Sequence, residues 1–199
     1  GTVDGNFSLT VAAGVGPVTF GGAVGGAAGE ELGQLAVTGD TINVDGGAVT
    51  TDAGGSGNGS QTYTGATVLG DATTITTGGT ADEDITFNGA GTIDGGANTL
   101  TLDAGANGDV SVEGSVSNVT TLTLSNAFDA TFLDTVSANT VDLTESAGTV
   151  AFQKTLTADN LNTTGNVTDV SLTGDGSTIT TATTFNNTGT TTVGTSDTD

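Results

Sequence analysis

Apolar residues recur with a period of about 20 positions through the second half of the chain, and this repeat limits the fold more than any other feature. One series consists of Val112, Phe132, Phe152 and Leu172, which are evenly spaced. A second consists of Val116, Val136 and Leu156, and a third of Leu102, Leu122, Val141 and Leu161. A fixed period of this length is typical of repeat proteins, in which each repeat packs only on its neighbours.

Apolar and polar residues alternate around each series. Val110, Ser111 and Val112 are one such run, and the equivalent residues of the later repeats follow the same pattern. Alternation indicates strands with one buried face. Three short strands and three turns per period predict a parallel β-solenoid, whose rows stack at about 4.8 Å and pair their backbones with the rows on either side. A Gly- and Thr-rich β-sandwich is the alternative, although a sandwich does not require a superperiod of this length.

The first half of the chain has a looser period. We continue the Phe132 series upstream through Phe20, Val44, Val68 and Phe87, and downstream to Val193. This predicts about nine rungs of about 20–24 residues in one β-solenoid domain over 1–199, with irregular, loop-rich rungs at 25–60. Neither end resembles a polar cap, so we expect the domain to be part of a longer chain or filament.

A longer repeat links the two halves. The segment Gly1-Thr-Val-Asp-Gly5 recurs as Gly91-Thr-Ile-Asp-Gly95, and the match continues to Val24 and Val116 with a slightly larger offset. The drift in offset indicates short insertions in the loops between strands of constant length.

The charge balance excludes several classes of function. The chain has 23 acidic residues and a single basic one, Lys154, for a net charge of −22, and it has no His or Cys. Binding to nucleic acid or to an anionic membrane requires clusters of Lys and Arg, so neither is predicted. Without His and Cys, the usual zinc, haem and iron–sulfur sites and the Ser–His–Asp or Cys–His arrangements cannot form. We predict no catalytic residues and no membrane insertion.

Calcium is the one cofactor that the sequence suggests. Asp82, Glu83 and Asp84 place three carboxylates immediately before an apolar strand, and calcium takes six to eight oxygen ligands. The spacing fits neither an EF-hand nor the calcium-binding nonapeptide repeat. The alternative interpretation is that these acidic turn residues are solvated and keep the protein soluble.

Three stretches resemble a known family. The segments 1–11, 18–24 and 61–70 are similar to the repeats of filamentous-haemagglutinin-like exoproteins, which are large bacterial surface proteins often exported by two-partner secretion. The resemblance implies a right-handed parallel β-helix, an extracellular or cell-surface location, and roles in adhesion, biofilm formation or contact-dependent antagonism. The family offers no catalytic residues to assign here.

These observations predict a structural stalk or fibre segment of a secreted bacterial surface protein, in contact end to end with copies of itself or with flanking repeats. The first alternative is an adhesin module that binds a receptor or matrix polymer through loops, for which 25–60 is the candidate region. The second is a polysaccharide-active β-helix enzyme. One Tyr and no Trp offer little aromatic surface for holding a sugar, which argues against the enzyme.

Overall fold

The computed structural model describes residues 1–26, 29–52, 57–79, 82–89 and 91–194, and within these ranges every paired strand is parallel. The described ranges contain no helix, so they contain none that is long and apolar enough to span a membrane. The sixteen strands are β1 (Ser8–Ala12), β2 (Val18–Phe20), β3 (Gln34–Val44), β4 (Ala48–Thr50), β5 (Gln61–Leu69), β6 (Thr73–Thr76), β7 (Ile85–Asn88), β8 (Ile93–Asp94), β9 (Thr99–Asp103), β10 (Val110–Val112), β11 (Val116–Asn126), β12 (Ala130–Phe132), β13 (Val136–Phe152), β14 (Leu156–Leu172), β15 (Thr178–Ile179) and β16 (Thr191–Val193).

The chain coils through three faces, which we call I, II and III in their order along one turn that starts at β1. Face I carries nine stacked strands. In order along the stack they belong to β1, β3, β5, β7, β10, β12, β13, β14 and β16. The inward column that includes Phe132 contains Val11, Val37, Tyr63, Phe87, Val112, Phe132, Phe152, Leu172 and Val193. Nine rows enclose about eight turns, which confirms the predicted parallel β-solenoid.

Faces II and III repeat the arrangement with other segments. Face II stacks a column of Val18, Ile42, Thr67, Ile93, Val116, Val136 and Leu156. Face III stacks a column of Val3, Val24, Val49, Ile75, Leu102, Leu124, Leu143 and Thr163. Long strands such as β13 and β14 pass through more than one face and bend at the corners between them.

The core lies inside the coil, where side chains of equivalent rows stack on one another. Phe132 and Phe152 are about 1% exposed, and their rings stack with centroids 4.9 Å apart and planes 4° from parallel. Tyr63 and Phe87 stack in the same way at 4.8 Å. These spacings equal the ~4.8 Å between adjacent strands, so each ring sits directly on the ring of the next row. The prediction that the Phe132 column is internal is confirmed.

The upstream part of that column was predicted wrongly. Phe20 and Val44 lie in face II, where Val44 pairs with Phe20 on one side and with Leu69 on the other. Val68 lies between the buried Thr67 and Leu69 and therefore points outward. The true continuation from Phe87 is Tyr63, which lies further back in the chain than Val68. Val193, at the other end, does belong to the column.

Two other sequence relationships are out of register. Leu122 pairs with Leu100 and not with Leu102, whose partner is Leu124. The longer repeat also joins different faces, because Val3 lies in face III and Ile93, its match in the sequence, lies in face II. All three faces use the same alternating pattern, so the match reflects a shared strand pattern and not equivalent positions in the coil.

Glycine allows the backbone of one row to pass close to that of the next. A Cβ on Gly174 would lie 1.9 Å from the carbonyl carbon and oxygen of Lys154 in the preceding row. Gly65 has φ +138°, and a Cβ there would lie 1.9 Å from the oxygen of Gly39. Any larger residue at either position would force adjacent rows apart.

Candidate functional site

The side chains of the three residues predicted to bind calcium do not all face the same way, because some point to solvent and one points into the core. Asp82 is exposed and Asp84 is half-buried, whereas Glu83 is fully buried. One carboxylate oxygen of Glu83 accepts the N–H of Gly79 at 2.9 Å, and its main-chain oxygen accepts the hydroxyl of Thr77 at 3.2 Å. The alternation of β7 extends backwards into this segment and turns the middle side chain inward.

Within the ranges that the structure describes, no three acidic side chains converge closely enough to hold a metal ion. Calcium at Asp82, Glu83 and Asp84 stays a prediction, without a converging ligand set to support it. The arrangement instead joins Glu83 to the turn at Thr77–Gly79.

Asp84 belongs to a ladder of aspartates that the sequence analysis did not identify. Its Oδ1 accepts the N–H of Asp109 in the next row at 2.9 Å, and Oδ1 of Asp109 accepts the N–H of Asp129 at 3.0 Å. Oδ1 of Asp129 accepts the N–H of Thr149, and Oδ1 of Asp169 accepts that of Thr190. Each aspartate stands one position before the first inward residue of face I in its row, so its place relative to the apolar period was a signal that could have revealed the ladder.

The ladder brings like charges close together. Burial raises the pKa of Asp109 above its ordinary value, and the carboxylates of Asp84, Asp129 and Asp82 raise it further, against the opposing effect of the Asp129 N–H. The rung-to-rung hydrogen bonds therefore form in spite of electrostatic repulsion along the column.

A second polar group lies inside the coil, in the row formed by β5. The hydroxyl of Tyr63 donates to Oε1 of Gln61 at 2.6 Å. Nε2 of Gln61 donates to the main-chain oxygen of Thr76 at 2.8 Å and to the hydroxyl of Thr51 at 3.1 Å. The side chains of Tyr63, Gln61 and Thr51 are buried, and burial raises the pKa of Tyr63 far above its ordinary value. The network is closed to solvent, so its role is to hold rows together and not to bind a ligand.

A surface groove runs along the corner between faces II and III. It has a volume of about 550 Å³ and is lined by four successive rows, at 94 and 96–97, 118–120, 137–139 and 157–159. The inward residues at this corner, Val119, Ala138 and Ala158, stack on one another and are buried. Their neighbours point outward and form the polar sides of the groove.

Asp94 lies at one end of the groove and is held in a fixed position. Its Oδ1 accepts the N–H of Gly96 at 3.0 Å and the side-chain amide of Asn118 at 3.1 Å. These hydrogen bonds lower the pKa of Asp94, more than its slight burial raises it. Asp94 is therefore a carboxylate at neutral pH.

The groove does not present a pair of carboxyl groups suited to glycoside hydrolysis. Asp94 and Asp159 lie three rows apart, which is about 14 Å along the axis at the usual strand spacing. Retaining and inverting glycosidases place their two carboxyl groups about 5 to 9.5 Å apart. Lys154, the single basic side chain of the sequence, is exposed and does not line the groove.

The candidate binding region predicted from the sequence lies elsewhere, at 25–60. That region contains β3 and β4, while its residues 27–28 and 53–56 lie outside the described ranges. The groove was missed because its polar residues come from four separate turns of the coil and are far apart in the sequence. Only the register of the rows brings them together.

Comparisons of the chain with protein-family models, with curated proteins and with solved structures find no match. The resemblance to filamentous-haemagglutinin-like repeats stays a prediction.

Proposed function

We propose that this chain is a structural stalk or fibre segment of a secreted bacterial cell-surface protein. The observation that carries the proposal is the unbroken stack of nine strands on face I, in which every row is hydrogen-bonded to the next. A solenoid of this kind extends along one axis, because each repeat contacts only its neighbours. Extension along an axis is the mechanical requirement of a stalk.

The outer surface of face I supports the same role. Its outward column contains only small residues, namely Thr10, Ala36, Thr62, Thr86, Ser111, Thr131, Ala151, Ser171 and Thr192. Such a column favours the strand through its β-branched residues and offers no large apolar patch for a partner. The net charge of −22 keeps the surface soluble.

End-to-end contact is part of the proposal, because the two end rows are less covered than the inner ones. Val193 is 68% exposed, whereas Phe152 and Leu172 of the same column are at most 3% exposed. Val11 at the other end is only partly buried. A further row, from a second copy or from flanking repeats, would bury these side chains and pair the strand edges of β1 and β16.

Sedimentation velocity over a concentration series, with negative-stain imaging, tests this assembly. We expect rods of uniform width that lengthen with concentration at about 0.15 M salt, where repulsion between distant charges is screened. The double variant Val11→Asn/Val193→Asn should shorten the rods, while its control Thr10→Asn/Thr192→Asn, altered on the outer side of the same strands, should not. A chain that stays monomeric at high concentration, or rods equally sensitive to both variants, would contradict stacking of copies.

A binding module is the second candidate function, and the groove between faces II and III favours it. In a concave site, converging polar groups fix the orientation of a ligand, and this groove offers several of them. This candidate differs from the adhesin predicted from the sequence in its location, since the groove uses regular rows between 94 and 159 and not the loops of 25–60.

A further inference from the structure

The groove is built before any ligand arrives. The N–H of Gly95 donates to Ser117 O at 2.9 Å, that of Ala97 to Asn118 O at 2.7 Å, and that of Thr120 to Asn98 O at 2.9 Å. These bonds fix the end of the groove that carries Asp94. Sites supported in this way lose little freedom when a ligand binds.

Two residues of the same end adopt a backbone conformation that side chains other than glycine rarely take. Ala97 has φ 67° and Asn118 has φ 54°. The Asn118 conformation places its side-chain amide on Oδ1 of Asp94. Within the described ranges these are the only non-glycine residues with positive φ, and both line the groove. Asn adopts this conformation readily, so the strain lies at Ala97, and strained residues concentrate at functional sites.

The lining determines which ligand charge fits. Asp94 and Asp159 are the charged side chains of the groove, and no basic residue lines it. The whole chain carries a net charge of −22, so an anionic ligand would be repelled and a cationic one attracted.

The uncharged residues of the lining determine which uncharged groups a ligand should carry. Between the two carboxylates, amide and hydroxyl groups are offered by Asn118, Asn139, Thr120, Ser137 and Thr157. The lining contains no aromatic ring, and its apolar residues Val119, Ala138 and Ala158 are too well buried to form side-chain pockets. A ligand with many hydroxyl groups along its length can use these donors and acceptors, whereas a ligand with large apolar side chains finds no place for them.

We propose that the groove between faces II and III binds a linear amino-sugar chain with free, protonated amino groups. Its ammonium groups contact Asp94 and Asp159, and its hydroxyl groups contact the amides and hydroxyls between them. A basic peptide fits less well, because extended peptides bind by adding a strand to a free sheet edge, and the rows that line the groove are already paired with each other. This inference depends on the second function proposed above and is independent of the stalk.

Isothermal titration with a glucosamine hexamer, at a pH where its amino groups are protonated and in about 0.15 M salt, tests the proposal. We expect saturable binding, and at least about tenfold weaker binding of the N-acetylglucosamine hexamer, which lacks the charge. Loss of one charge-assisted contact in Asp94→Asn or Asp159→Asn should each weaken binding about tenfold. The controls Asp71→Asn and Asp134→Asn remove the same charge from exposed positions outside the groove and should change the affinity less than about twofold.

Three results would overturn the inference. Equal weakening by the groove and control variants would show that the hexamer only condenses on a negative rod. Equally tight binding of hexalysine, with the same dependence on Asp94, would assign the groove to basic peptides. Absence of binding to wild-type protein that melts normally would remove the site altogether. None of these results changes the sedimentation of the rods, so failure here and failure of the stalk are distinguishable.

Discussion

The two halves of the coil solve the same packing problem with different turn lengths. The first turns of face I are long and run from Val11 to Val37, Tyr63, Phe87 and Val112. The later turns are shorter and run from Val112 to Phe132, Phe152, Leu172 and Val193. Most of the added length lies at the corner between faces III and I. At that corner the first half uses the segment from Val49 to Gln61. The equivalent segment of the second half, from Leu124 to Ala130, is shorter.

The interiors differ as well. Among the described residues, most of the buried polar side chains lie between Thr51 and Glu83, and the exceptions are Ser146 and Thr163. The columns of the shorter, regular rows are almost wholly apolar, so burial of apolar surface stabilises them. The rows with longer turns use internal hydrogen bonds, such as those of Gln61 and Tyr63, to satisfy buried polar atoms. Stability in the first half therefore depends on individual hydrogen bonds more than in the second.

Truncation of an aromatic ring in the regular half should have the largest effect. Phe132→Ala removes a ring stacked on Phe152 and leaves a cavity, so we expect a loss of about 3–5 kcal/mol in the free energy of unfolding. Thr131→Ala, on the outer side of the same strand, should cost less than about 1 kcal/mol. Urea denaturation measures both. Similar costs for the two variants would contradict the assignment of inner and outer faces.

Removal of one hydroxyl should have a large effect in the first half. Tyr63→Phe keeps the ring on Phe87 but removes the donor to Oε1 of Gln61, so we expect a loss of about 1–3 kcal/mol from a buried acceptor without its partner. The double variant Tyr63→Phe/Gln61→Leu should recover part of the loss, since Leu35 and Ile85 are the column neighbours of Gln61. A negligible cost for Tyr63→Phe would contradict a dependence of this half on internal hydrogen bonds.

One substitution in the same row should increase stability. The Thr67 hydroxyl is buried and makes no hydrogen bond, between the aliphatic Ile42 and Ile93 of its column. Thr67→Val keeps the shape and removes the desolvated hydroxyl, so the free energy of unfolding should rise by about 1 kcal/mol or more. The control Thr131→Val lies outside and should change it by less than about 0.5 kcal/mol. A loss of stability in Thr67→Val would reveal a role for that hydroxyl.

The aspartate ladder should give the smallest effect, with a definite sign. The pKa of Asp109 is raised in the folded state, so its protonation favours folding. Its contribution to the free energy of unfolding is fully present below the unfolded pKa near 3.9 and is lost as the pH rises through the folded pKa. At pH 7, Asp109→Asn should therefore stabilise the protein by about a few tenths of a kcal/mol, the size expected for a largely exposed charge.

Asp94→Asn is the matched control for the ladder, because the pKa of Asp94 is lowered and its contribution has the opposite sign. Its contribution is present above the unfolded pKa and is lost as the pH falls through the folded pKa, so this variant should destabilise the protein at pH 7. Melting curves at pH 7 and at about pH 3 compare the two variants. Shifts of the same sign at pH 7 would contradict the electrostatic difference between ladder and groove.

The accuracy of the sequence-based predictions follows the same division between the halves. Periodicity identified the solenoid and the columns of the regular rows, because Phe132, Phe152 and their equivalents are all apolar. It failed upstream because the turns there are longer, so the shorter step predicted from Phe87 reaches Val68 and not Tyr63, the true neighbour in the column. The groove could not be predicted, since the hydrogen bond between Asn118 and Asp94 joins residues 24 positions apart.

A disulfide between adjacent rows tests the register of the first half most directly. The chain has no cysteine, so two can be introduced without competing thiols. Thr62 and Thr86 are paired neighbours in adjacent rows, and the usual ~4.8 Å strand spacing lies within the roughly 4.4–6.8 Å Cα range of a disulfide. We expect Thr62→Cys/Thr86→Cys to close under mild oxidation, with a loss of two hydrogens by intact-mass spectrometry. The control is Thr67→Cys/Thr86→Cys, because these two residues would be neighbours if Val68 paired with Phe87. This pair should stay reduced. Closure of the control pair in place of the first pair would contradict the structure.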